Sequence, residues 1–144
     1  MTTVQQHIRI DAPIDTVYDY ISNYTNDPQW RCGVVQVTQD PPPPARLGAR
    51  THERFRMLGL HFETRAEVTS YRVNTVIGFT ALSSAFPLWG QRRVHVEEGA
   101  TRFTYQLTAR FHGPYRLLRP LLVWQFERRL QQDLERLKRI LESK

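Results

Sequence analysis

The feature that most restricts what this chain can fold into is the spacing of apolar residues near its end. Val123, Phe126, Leu130, Leu134, Leu137 and Leu141 recur at intervals of 3, 4, 4, 3 and 4, which lays one narrow apolar stripe along a helix. Arg128, Gln132, Glu135, Arg136, Arg139 and Glu142 fall on the other side, where water solvates them. No Gly or Pro follows Pro120, so the pattern predicts a helix of about six turns, close to 30 Å long at ~1.5 Å per residue. Such a stripe is stable only when covered. The strand-like segments upstream are the only partner long enough, which makes the space between helix and sheet the first place to look for function.

Those upstream segments carry their own registers. Val4 to Ile10 alternates as a half-buried strand, with Val4, Ile8 and Ile10 on one side. Asp11-Ala12-Pro13 ends it, and Pro13 suits the first position of a helix running from Ile14 to about Ser22. Asn23 to Trp30 is turn-rich and holds one more helical turn; Val34 to Thr38 is a strand, and Pro41 to Pro44 a stiff loop. A two-residue turn at Leu58-Gly59 pairs Met57 with Leu60, Phe55 with Phe62, Glu53 with Thr64 and Thr51 with Ala66. Paired residues share a face, so apolar meets apolar while Arg54, Arg56, His61, Glu63 and Arg65 turn away. A last hairpin, turning within Glu98-Gly99-Ala100, puts Arg92, Val94, Val96, Phe103, Tyr105 and Leu107 on one inner face. Val76 to Ser83 is a further strand between the hairpins. The order predicts an α+β chain, with about six to seven antiparallel strands, two short helices after the first, and one long terminal helix.

The 144 residues suit a single domain spanning residues 1–144. The first residues lack an apolar run of signal-peptide length, and nothing approaches the ~20 apolar residues of a membrane span. Cys32 is the one cysteine, so no internal disulfide forms and a cytoplasmic location is expected. Of the formal charge of +6, nearly all the positive part is Arg. The basic residues are dispersed among acids in the terminal helix, so a solvated face is expected and nucleic acid is not an expected partner.

The chain resembles the START/Bet v 1-like superfamily (SRPBCC), in its polyketide cyclase/dehydrase-like branch. Ile8-Arg9-Ile10-Asp11-Ala12-Pro13, Val17 to Asn23 with Trp30 seven residues later, Leu47-Gly48, Glu67 to Tyr71, Gly99 to Tyr105 and Leu134 to Glu142 carry the resemblance. It extends over essentially the whole chain, and most of these motifs are structural. The resemblance implies a helix-grip fold, a curved sheet around the last helix with an apolar cavity between them. It also implies varied functions, since members bind lipids, hormones or quinones, or close and dehydrate polyketide rings.

Candidate site residues follow from the inner faces. Phe55, Phe62, Val94 and Tyr105 from the sheet, with Phe126 and Leu130 from the helix, are expected to line a cavity. Trp30, Phe86, Trp89 and Trp124 are expected at its mouth; the plainer reading is a packed core. Glu53 points inward, where an unpaired carboxylate is costly. It is either raised in pKa and usable as an acid or base, or paired, with Arg92 as partner. Tyr105, with Thr51 and Thr64, offers hydroxyls to orient a carbonyl. The five histidines give no metal-ligand spacing on one face, so no metal and no organic cofactor are expected. Leu117 to Trp124 is apolar all round the helix. It is either buried packing under loops, or an exposed patch for a homodimer or a lipid surface flanked by Arg116 and Arg119. The leading expectation is a binder of a small hydrophobic or aromatic, lipid- or polyketide-like molecule. A cofactor-independent cyclase/dehydratase using Glu53 and Tyr105 is the alternative, and a coenzyme-Q-binding or ribosome-associated interaction module a third.

Overall fold

The computed structural model describes residues 1–144. Strand β1 (Thr2–Ile10) leads into helix α1 (Ile14–Ile21), a 3-10 turn (Tyr24–Asn26) and the one-turn helix α2 (Asp27–Trp30). Strands β2 (Val34–Asp40), β3 (Arg50–Met57), β4 (Leu60–Arg72), β5 (Val76–Ser83), β6 (Leu88–Glu97) and β7 (Ala100–Ala109) follow, and helix α3 (Pro114–Glu142) ends the chain. The seven strands form one antiparallel sheet in the order β1-β7-β6-β5-β4-β3-β2. Six strands therefore run as a meander, and the first closes beside the last.

Both hairpins adopt the register their alternation predicts. Met57 faces Leu60, Phe55 faces Phe62, Glu53 faces Thr64 and Thr51 faces Ala66. In the last hairpin Arg92 faces Tyr105 and Val94 faces Phe103. Register shifts between Val34 and Gln36, and twice along β4 at Arg65/Ala66 and Val68/Ser70, add local twist and bend the sheet around the helix. Two details differ from expectation. Pro13 is the cap of α1 rather than its first helical residue, with extended backbone at φ −61° and ψ 149°. Val96 lies on the inner side by alternation but is 64% exposed, although Thr101 opposite it is buried.

Helix α3 is longer than its stripe and does two jobs. Leu130, Leu134, Leu137 and Leu141, in its second half, are buried against α1, β1 and the closed end of the sheet with Val17, Ile21, Trp30 and Phe103. This is the solid core. Val123 and Phe126, in the first half, are only half-buried, because they face a space rather than a packed layer. Pro120 sits inside the helix rather than at its start.

Candidate functional site

That space is a cavity of about 120 Å³ between the sheet and the first half of α3. Phe55, Met57, Phe62 and Ala66 reach it from β3 and β4, and Leu107 from β7. All point inward because side chains alternate with period two along a strand. Leu122, Val123 and Phe126 form the helical wall. One end is aromatic: Phe86 packs against Phe111, Tyr115 and Phe62 with ring centroids 4.7, 5.2 and 6.2 Å away, tilted as ring quadrupoles prefer.

The other end is polar. Helix α2 is only one turn, but Asp27 and Arg31 at i and i+4 emerge from it on the same side. Arg31 Nη1 donates to Asp27 Oδ2 at 3.0 Å and to Glu53 Oε1 at 2.6 Å. Arg92 reaches the other side of Asp27, donating from Nη1 to Oδ1 at 3.0 Å and from Nη2 to Oδ2, and also donates to the Ile21 carbonyl. The result is a buried row, Glu53, Arg31, Asp27 and Arg92, with two charges of each sign. The Arg92 guanidinium also lies 4.5 Å from the Tyr24 ring centroid and 5.2 Å from those of Trp30 and Tyr105. Burial disfavours its charge, yet the adjoining Asp27 carboxylate outweighs that and holds its pKa above the ordinary arginine range. Tyr24 lines the cavity, and its hydroxyl is buried without a hydrogen-bond partner. Burial raises its pKa, against the pull of Arg92, so the group stays a neutral donor.

A second set of contacts fixes this end to the helix. The Cys32 backbone N–H donates to Asp133 Oδ1 at 2.9 Å, and Arg129 Nη1 donates to the Arg56 carbonyl at 2.8 Å. Gly33, at φ +95°, lies so close that an added Cβ would stand 2.5 Å from both Arg129 Nη1 and the Arg56 carbonyl. Only glycine fits that turn. Helix α3 thereby holds the residues adjoining Arg31 in place.

Of the residues expected at the site, Glu53, Phe55, Phe62, Arg92, Tyr105 and Phe126 line the cavity. Trp30, Val94 and Leu130 do not; they are buried in the solid core, where Trp30 packs edge-on to Phe103 and Tyr105. Trp89 is one residue past Leu88 and three before Arg92, both of which face inward, so alternation turns it to the outer face between Thr80 and Thr108. Trp124 is 52% exposed on the solvent side of α3, beneath Arg128. The partner of Glu53 is Arg31; Arg92 is taken by Asp27. Tyr24, Asp27 and Arg31 are absent from the sequence expectation, although the i, i+4 pairing of Asp27 with Arg31 was a readable signal.

With this geometry in hand, the likenesses to known proteins are consistent. The family model described as polyketide cyclase / dehydrase and lipid transport matches residues 1–142. TTHA0849 from Thermus thermophilus superposes with a TM-score of 0.85 at 18% identity, covering 99% of this chain and 98% of that one. The Zhui aromatase/cyclase from Streptomyces sp. R1128 gives 0.72 at 16% identity, covering 98% and 93%. A START superfamily protein from Mycobacterium smegmatis gives 0.66 at 14%, covering 98% and 94%. At these identities the likeness is one of fold. No curated protein matches the chain in sequence.

Proposed function

The chain belongs to the polyketide cyclase/dehydrase and lipid transport family, within the START/Bet v 1-like superfamily, and from that premise we propose that it binds a small aromatic or amphiphilic molecule in the cavity under α3. The observation that carries this reading is the polarity of the cavity: an apolar body with one built polar end. A ligand whose ring meets Phe62, Leu107 and Phe126, and whose hydroxyl or carbonyl meets Tyr24 and Arg31, fits both ends. Size narrows the class. Pockets for drug-sized ligands run to roughly 300–1,000 Å³, whereas an apolar cavity of about 150 Å³ takes benzene. At about 120 Å³ the space suits one ring, or the head of a longer molecule whose remainder projects from the mouth.

4-Ethylphenol, a single ring with one hydroxyl and a short apolar tail, is a suitable probe. Native mass spectrometry of the protein mixed with it is expected to give a 1:1 adduct that Phe126→Trp suppresses by filling the cavity. An adduct unchanged by that substitution contradicts the reading.

An enzymatic reading is favoured by one arrangement, the placing of Glu53 and Tyr105 at the same polar end. A cyclase would gain mainly by holding a flexible chain folded, with Glu53 and Tyr105 moving protons. Because Glu53 is bonded to Arg31, its more direct role is to position that guanidinium. Unchanged cyclisation of a poly-ketone substrate by Glu53→Gln would remove Glu53 from the chemistry.

A further inference from the structure

We propose that the outer face of the first turns of α3 docks on the surface of an anionic lipid bilayer. Leu117, Leu121 and Trp124 fall at i, i+4 and i+7, on one stripe, and are 86%, 48% and 52% exposed. Four-residue and three-residue steps put them on the side opposite Leu122 and Phe126, which face the cavity. No packed element covers this stripe.

Charge decides among the occupants. Between Glu98 and Glu127 the chain carries no Asp or Glu, and Arg110, Arg116 and Arg119 there are exposed, while Arg102 is taken by Glu97. Arg128 continues the stripe one turn beyond Trp124, with its guanidinium 5.5 Å from that ring, and Arg116, one residue before Leu117, borders it. A symmetric pair of chains would set Arg116 and Arg128 against their own copies, with Glu127 the one acid of the helix before Asp133, since a two-fold interface uses the same surface twice. An anionic lipid surface supplies the opposite charge and accepts leucines below it. Trp124 matches the boundary, where an amphipathic ring rests at headgroup level, and the arginine stems extend to phosphates from a half-sunk helix. Docking in this pose brings the helical wall of the cavity to the lipid surface. The surface does not depend on what the cavity holds, so the failure of one proposal leaves the other standing.

The test uses the full chain with vesicles of pure phosphatidylcholine and vesicles containing phosphatidylserine. Co-sedimentation is expected with the second and not the first, with a blue shift of tryptophan emission. The double variant Leu117→Glu/Leu121→Glu, at exposed positions, is expected to lower binding by about tenfold or more with unchanged circular dichroism. Equal binding to neutral vesicles, or binding unaffected by the double variant, would overturn the proposal. So would a dimer in solution that the variant dissociates, because a second copy would then occupy the face.

Discussion

Asp27 is the residue on which the polar end of the cavity turns. It is fully buried and stands between two arginines, so removing its charge strands the buried Arg92 guanidinium without an anion. Breaking one partner of a buried pair costs roughly 3–5 kcal/mol. Asp27→Asn is expected to lower the urea-unfolding free energy by about that much. Glu53→Gln should cost less, on the order of 1–2 kcal/mol, because the amide oxygen still accepts from Arg31 and Asp27 remains as the counter-charge of that guanidinium. Asp133 is the second residue whose charge matters. Burial raises its carboxyl from 3.8 to about 6, against the Cys32 N–H and the nearby Arg31, Arg136 and Arg129. Between those values the folded chain holds the proton more tightly than the unfolded one. The contribution of Asp133 is therefore most favourable below pH 4 and is lost as the pH rises through 6. Asp133→Asn leaves an oxygen for Cys32 but nothing to titrate. Relative to the parent, the variant should gain on the order of 2–3 kcal/mol from pH 4 to pH 7, at about 1.4 kcal/mol per unit. Thermal melts of both proteins across that range check it; a constant difference contradicts it. At this scale the sequence was half legible. Alternation shows that Glu53 and Arg92 point inward, but which partner each takes depends on where α2 folds back, and a four-residue helix leaves no periodic trace.

Among the elements, α3 shows why one apolar stripe serves two ends. Its second half closes a solid core and its first half roofs a cavity. Leu134→Ala is expected to cost about 2–5 kcal/mol, as large-to-small core substitutions do. Leu117→Ala, at 86% exposure, should stay within about 0.5 kcal/mol. Denaturant melts of the two variants measure the division of the helix directly. The hairpins were readable because period-two alternation fixes register once a turn is placed, and both turns carry glycine. The aromatics outside regular alternation were less so. Trp30, Trp89 and Trp124 are each large enough for a mouth. Yet Trp30 is drawn into the core by Phe103 and Tyr105, Trp89 follows its strand to the outer face, and Trp124 lies on the solvent side of a helix whose apolar residues run all round.

Across the whole molecule, fold and cavity follow from one geometric fact: a helix covers a bent sheet over more length than their side chains fill. The run of β2 to β7 as neighbours followed from sequential hairpins, whereas the place of β1 beside β7 joins strands from opposite ends of the chain and left no local signal. The extent of the empty space did not follow either, since periodicity reports which faces are apolar and says nothing of how far apart they stand. No helix is long and apolar enough to cross a membrane. The central claim, that the room under α3 receives an apolar guest, is tested most directly by methyl NMR during titration with 4-ethylphenol. Saturable shifts should gather on Met57, Leu107, Leu122 and Val123 while Leu137 and Leu141 stay still. Shifts confined to Leu117 and Leu121, or no saturable shift at all, would contradict it.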